Sequence, residues 1–104
     1  MFTLRQRRAY KRKIHRYAAS KTWARRSLEF RRSRGYRCEG CGRVSTRNHA
    51  HHLDYARAFK GREPDSDLMC LCSDCHYAVH RFARSQRHSV SLRQATYMWL
   101  GAAR

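Results

Sequence analysis

The sequence is poor in acidic residues. It contains 7 Asp and Glu residues against 24 Lys and Arg residues, which gives a formal net charge of +17 over 104 residues. A charge this far from balance predicts a polyanionic partner, and nucleic acid is the natural candidate. Ribosomal and histone-like proteins are equally basic, so the charge predicts contact with nucleic acid and says nothing about chemistry.

Long apolar runs are also missing. No segment approaches the roughly 18 consecutive apolar residues of a membrane-spanning helix. The first residues, MFTLRQRRAYKRK, lack the apolar core of a secretory signal. We therefore expect a cytoplasmic protein with no membrane partner. In a reducing compartment, its five cysteines favour metal binding over disulfide formation.

The positive charge is concentrated at the two ends of the chain. Basic and acidic residues number 14 and one in residues 1–37, five and six in residues 38–80, and five and none in residues 81–104. The middle is thus nearly neutral, and we divide the chain accordingly. The predicted parts are a basic helical arm (1–35), a core (36–84) and a C-terminal helix packed on the core (85–104).

Helical spacing predicts the structure of the arm. Tyr10, Ile14 and Tyr17 recur at i, i+4 and i+7. We expect one or two amphipathic helices that end near Gly35. The aromatic residues of the arm either dock it onto the core or contact nucleic acid, and both interpretations can hold at once.

Two more helices are expected in the second half of the chain. Ser73 or Asp74 can cap a helix that runs to about Arg84, and Ser91 can cap a last helix that stops at Gly101. The stretch before them, FKGREPDSD, contains Gly and Pro and is predicted to be a loop.

Four cysteines form two Cys-x-x-Cys pairs. Cys38 and Cys41 make the first pair, and Cys72 and Cys75 make the second, 30 residues further on. Four thiolates satisfy a tetrahedral zinc ion and leave it no open position, so we predict structural Zn²⁺. The fifth cysteine, Cys70, is expected to be a small buried side chain.

The segment CSDCH also matches the attachment motif of covalently bound haem. Haem would leave Cys38 and Cys41 without a role, and it would not account for the charge of the chain. We therefore predict that the protein binds no haem.

The histidines form two further pairs. His51 and His52 are adjacent on a short extended segment, and His76 and His80 lie at i and i+4 on a predicted helix, on one face. Imidazoles that converge from a helix and a strand favour a transition metal with room for water or a phosphate oxygen. Three histidines that are not part of a pair are assigned to the surface or to contact with nucleic acid: His15, His49 and His88.

From Tyr36 to about Ala83 the chain resembles the HNH endonucleases. The resemblance is carried, in order, by YRCEGCG, HAHHLDY and GREPDSDLMCLCSDCHYAVH. It implies a small, metal-stabilised α+β protein with a ββα-metal (His-Me finger) core, in which a catalytic divalent metal lies beside the structural zinc. The N-terminal basic helical arm and the C-terminal helix would flank this core.

The resemblance also implies roles for individual residues. His51, His76 and His80 would bind the catalytic metal, which could be Mg²⁺, Mn²⁺, Ni²⁺ or Zn²⁺, and His52 would be the general base. The central Asn of the family corresponds to Asp67, whose carboxylate is expected to accept the same backbone hydrogen bonds. Because neighbouring strand residues point to opposite faces, His51 and His52 can share a site only if the strand end is twisted or bulged.

The expected function is hydrolysis of phosphodiester bonds in DNA. The alternative is a non-catalytic, zinc-stabilised protein that binds nucleic acid. Small phage and bacterial nucleases of several biological roles use such modules. Symmetric double-strand cleavage would require two active sites, in a homodimer or in a larger phage or host assembly, and the sequence shows no interface for either.

Overall fold

The computed structural model describes residues 3–87 and 89–103, so the predicted location of His88 lies outside the described residues. Four α-helices surround a two-stranded antiparallel sheet in this part of the chain, and one turn of 3₁₀ helix (Asp65–Asp67) lies within the predicted loop. The predicted small α+β class with its ββα-metal core is confirmed. The elements, in chain order, are α1 (Leu4–Ala18), α2 (Lys21–Ser33), β1 (His49–His52), β2 (Leu68–Leu71), α3 (Ser73–Ser85) and α4 (Leu92–Ala103).

The arm consists of two helices that are separated by a short break. Thr3 begins α1 with a capping box, since its hydroxyl accepts from the N–H of Gln6 at 3.1 Å and its own N–H donates to the Gln6 side chain at 2.7 Å. Ser20 begins α2 by accepting from the N–H of Trp23 at 3.1 Å. The predicted arm helices are therefore confirmed, and they end close to Gly35.

The sheet separates two apolar clusters. Its register is regular, with His51 opposite Met69 and His52 opposite Leu68. Residues therefore alternate between the side of α2 and the side of α3 and α4. The clusters are, on the α2 side, Trp23, Phe30, Ala50, Leu68 and Cys70, and on the other side, Cys38, Leu53, Met69, Leu71, Cys72, Val79, Trp99 and Leu100.

Two predicted helix ends need correction. The N-cap of α3 is Cys72 and not Ser73 or Asp74, because the Cys72 sulfur accepts from the N–H of Cys75 at 3.4 Å. A predicted zinc ligand thus begins this helix. Gly101 does not end α4, which continues to Ala103.

The remaining expectations for α4 are confirmed. Ser91 accepts a hydrogen bond from the N–H of Gln94 at 3.1 Å, as an N-cap residue does. Ala95 is buried, and Trp99 packs against the core. None of the helices in the described part of the chain is both long and apolar enough to cross a membrane.

Candidate active site

Four cysteine sulfurs converge between the loop after α2 and the start of α3. The Sγ atoms of Cys38, Cys41, Cys72 and Cys75 lie within 4.8 Å of one another. This is the predicted set, and four converging thiols fit a tetrahedral structural zinc ion. Cys70, the fifth cysteine, is buried in the cluster on the α2 side and takes no part.

The backbone around Cys38 favours its thiolate form. Burial raises the pKa of this thiol, but hydrogen bonds from the backbone N–H groups of Cys72, Cys41 and Gly40 outweigh it and lower the pKa to about 7. Gly42 completes the turn with a φ of +83°, which other residues rarely adopt. The loop therefore favours, at Cys38, the ionised form of the thiol that binds metal.

Three histidines form a second cluster, between β1 and α3. The ligand nitrogens of His51, His76 and His80 lie within 4.8 Å of one another. The Nε2 atoms of His76 and His80 are 3.1 Å apart, and the ring of His51 has its centroid 5.1 Å from the centroid of each of the other two. The structure thus brings together the three predicted metal ligands.

A hydrogen bond from His51 to α4 fixes the protonation of this histidine. The hydroxyl of Thr96 donates its proton to the carbonyl of Leu92 at 2.7 Å, so it accepts from the Nε2–H of His51 at 3.0 Å. The Nδ1 atom of His51 consequently carries a free lone pair. It is buried, and it has no hydrogen-bond partner among the described residues. Such a nitrogen beside two further imidazoles fits a divalent metal ion.

The same cluster is neutral near pH 7. Burial, followed by the neighbouring histidines, lowers the pKa of His51 to about 2 and that of His76 to about 4. Burial and then Arg84 lower the pKa of His80. All three imidazoles therefore offer unprotonated nitrogens, which is the form that binds metal.

His52 lies on the other face of β1 and has different neighbours. Its Nε2 atom is 2.7 Å from Oε2 of Glu63. The ring of Tyr55 stacks on its imidazole with a centroid distance of 4.5 Å, and the ring of Trp23 packs against it at 4.3 Å with a tilt of 33°. Burial lowers the pKa of His52, although Glu63 opposes the shift, so the imidazole is neutral near pH 7.

A cleft of about 290 Å³ at the free edge of β1 joins the two faces. His52 lines it from one face of the strand, and His76 and His80 line it from the other. A bulge is not needed, because the pairing of β1 with β2 stays regular through His52. His49, predicted to be a surface residue, is exposed and stands in the wall of the cleft, with its ring centroid 5.0 Å from that of His76.

Asp67 is buried, but its carboxylate does not bind backbone. It accepts two hydrogen bonds from Arg57, at 2.8 and 3.0 Å, and one from Arg93 at 2.8 Å. The hydrogen bonds from Arg57 lower its pKa. The prediction that the Asp67 carboxylate accepts backbone hydrogen bonds is therefore wrong. The main-chain carbonyl of Asp67 does accept from the N–H of Leu53 at 2.7 Å, just beyond His52.

Sequence reasoning missed two residues that hold the histidines. Glu63 falls within the predicted loop, and Thr96 falls within a helix for which the sequence predicts only packing. Glu63 offered one signal, since it is among the few acids of a strongly basic chain. Thr96 offered none, because only the packing of α4 brings it to His51.

One of three comparisons with known proteins found a match. Residues 38–82 match the family model described as HNH endonuclease. The matched segment contains both predicted metal clusters, His52 and Glu63. No curated protein and no solved structure matched the chain.

Proposed function

Because residues 38–82 form an HNH endonuclease domain, we propose that this protein hydrolyses phosphodiester bonds in DNA with the help of a divalent metal ion. The observation that carries the proposal is the cleft at the edge of β1. There His76 and His80, which cluster with His51, face the same space as His52. The domain itself implies nuclease-type chemistry, and the cleft supplies the groups which that chemistry requires.

His51, His76 and His80 would hold the divalent cation, which is Mg²⁺, Mn²⁺, Ni²⁺ or Zn²⁺. When bound, it supplies electrostatic stabilisation of the negative charge that develops on the phosphate and on the leaving oxygen. The four cysteines, with all their sulfurs directed at one another, would hold a structural zinc ion that has no part in the reaction.

His52 would be the general base. Its neutral imidazole accepts a proton from a water molecule that is in line with the phosphorus atom, and the resulting hydroxide attacks. The expected products carry a 5′-phosphate and a 3′-hydroxyl. Asp67 would act indirectly, since its carboxylate joins Arg57 to Arg93 and its carbonyl holds the backbone that follows His52.

The decisive experiment is a plasmid-nicking assay with the zinc-loaded full chain. We expect Mn²⁺, Ni²⁺ or Mg²⁺ to convert supercoiled plasmid into nicked plasmid, and we expect EDTA to stop the reaction. If the protein binds the plasmid but does not nick it with any of these ions, it is instead a non-catalytic nucleic-acid-binding protein.

Thr96 provides a test of the metal site. We expect Thr96→Val to weaken binding of Mn²⁺ or Ni²⁺ by about 10- to 100-fold, because the Nε2–H of His51 loses its acceptor and the ring loses its orientation. Thr96→Ser keeps the hydroxyl and is the matched control. Isothermal titration calorimetry on zinc-loaded protein measures both affinities. Equal affinities in the two variants would contradict this ligand arrangement.

The exposed basic side chains of α1 are the candidate contacts for the DNA backbone. Ile14, Tyr17 and Ala18 of this helix line the cleft. Its other faces carry exposed cationic side chains: Arg5, Arg7, Arg8, Lys11, Arg12, Lys13 and Arg16. Phosphate groups on either side of a bound scissile bond would lie within reach of these side chains.

Salt dependence tests the role of α1 in DNA binding. Arg5, Arg8 and Arg12 recur at helical spacing, and we expect their joint replacement by Gln to flatten the plot of log affinity against log salt. The slope should change by about 0.9 for each phosphate that the variant no longer neutralises. A charge-matched control replaces three exposed arginines outside α1, namely Arg32, Arg43 and Arg47. If both variants change the slope equally, net charge rather than α1 is responsible.

A further inference from the structure

We infer that Glu63 and Tyr17 position the imidazole of His52 for proton transfer, so that the N-terminal helices form part of the active site. This inference rests on the proposed function, because it assigns a task to residues around the proposed base. Tyr17 lies outside residues 38–82, the segment that matches the HNH family.

The first step is a chain of hydrogen bonds that ends at His52. Glu63 is buried, with 1% of its surface exposed. Its Oε2 atom lies 2.7 Å from the hydroxyl of Tyr17 and 2.7 Å from Nε2 of His52. The N–H of Gly61 donates to the Tyr17 oxygen at 3.1 Å, so the single hydroxyl proton of Tyr17 is directed at the carboxylate.

The second step is the choice of tautomer. A carboxylate oxygen only accepts hydrogen bonds, so Glu63 selects the His52 tautomer with its proton on Nε2. Nδ1 then carries the lone pair that a general base needs. After His52 has accepted a proton, the buried negative charge of Glu63 stabilises the imidazolium. Tyr17 keeps the carboxylate in place by occupying the same oxygen.

The third step is the fixing of the Glu63 backbone by α2. Arg26, itself buried, donates to the carbonyl of Glu63 from Nε at 3.0 Å and from Nη2 at 2.6 Å. Gly61 has a φ of +70°, and a Cβ atom there would lie only 2.6 Å from Cγ2 of Thr22. The loop that carries Glu63 is therefore seated directly on α2.

The fourth step is the restraint of the imidazole ring. Trp23 of α2 packs against His52, and Tyr55 of the loop that follows β1 stacks on it. Tyr17 also packs against Trp23, with 5.5 Å between ring centroids. Two aromatic rings and one carboxylate thus fix both the plane and the rotation of His52. Trp23 belongs to the arm, and Glu63 is held in place by Tyr17 and Arg26 of the arm.

The test compares Glu63→Gln and Tyr17→Phe with Glu29→Gln. Glu29 is an exposed acid that binds the same Arg26, so its replacement controls for a general loss of charge around α2. We expect Glu63→Gln to lower kcat for plasmid nicking on the order of 100-fold. The value of KM and the affinity for Mn²⁺ should stay within about twofold. Tyr17→Phe should lower kcat by about 10-fold, because it removes one charge-assisted hydrogen bond to the carboxylate of Glu63.

A spectroscopic measurement separates positioning from folding. ¹⁵N NMR of histidine-labelled, zinc-loaded protein should show the Nε2–H tautomer at His52 in the wild type and a mixture of tautomers in Glu63→Gln. An unchanged kcat in Glu63→Gln, a loss of kcat that only follows a loss of folded protein, or an Nδ1–H tautomer in the wild type would each overturn the inference. Absence of nicking by the wild type would instead overturn the proposed function, and the NMR result would still decide whether Glu63 sets the tautomer.

Discussion

Replacing His52 with alanine is expected to reduce the rate of plasmid nicking by about 1000-fold, the middle of the range for loss of a general base. The reason is that, among the described residues, His52 is the one imidazole lining the cleft that neither belongs to the three-histidine cluster nor, like His49, has a ring contact with His76. Zinc content, Mn²⁺ affinity and DNA affinity should remain within about twofold, because the metal clusters lie on the other face of β1. Single-turnover kinetics, atomic absorption and calorimetry measure these quantities.

The control for this variant is His15→Ala, which removes an exposed imidazole from α1. His52→Gln is a second variant that preserves more of the buried volume, in case truncation to alanine destabilises the packing against Trp23. Rates are compared per folded molecule, using thermal unfolding to count the folded fraction. If either His52 variant nicks plasmid at the wild-type rate, the assignment of the base is wrong.

Replacing Cys41 with serine is expected to unfold the protein or to lower its Tm by about 20 °C or more. Cys41 is exposed, and substitution of an exposed residue ordinarily changes stability by less than about 0.5 kcal/mol. Here we expect a larger effect, because Cys41 is one of the four predicted ligands of the structural zinc ion. Zinc binding contributes on the order of 10 kcal/mol in structural sites, and a loss of several kcal/mol shifts the Tm of a domain this size by tens of degrees.

Cys70→Ala provides the opposite case. Cys70 is fully buried but lies outside the sulfur cluster, so we expect it to cost about 1 kcal/mol and to leave one zinc ion bound per chain. The ranking of the two variants is therefore the reverse of what burial alone predicts. Thermal unfolding and zinc analysis test it. A Cys41→Ser protein as stable as Cys70→Ala would refute a structural role for the metal.

Most ligands of the two candidate metal sites were predictable from sequence because they are set by short spacings, whereas the role of His51 was implied only by the resemblance to the HNH endonucleases. A Cys-x-x-Cys pair closes on itself in a tight turn, and residues four apart on a helix share a face whatever the rest of the chain does. The N-cap Ser91 is local in the same sense, and it was predicted. Such features can be predicted without knowledge of the tertiary structure.

The supports of those ligands were not predictable, because they come from distant segments. Tyr17 and Glu63 are 46 residues apart, and His51 and Thr96 are 45 residues apart. Strand β2 was equally difficult to place from its residues alone. All four of its side chains are buried, so it lacks the alternation that identifies a strand.

The separation of His51 and His52 by the β1 backbone has a consequence for how the protein tolerates change. Each histidine is fastened by helices on its own side, His51 by α4 and His52 by the arm. The apolar clusters beneath them are likewise separate. A substitution that weakens the packing on one side therefore affects the other side mainly through the β1 backbone between His51 and His52. Substitutions on one side of the proposed active site should therefore have little effect on the other side, while the strand keeps the spacing of His51 and His52 constant.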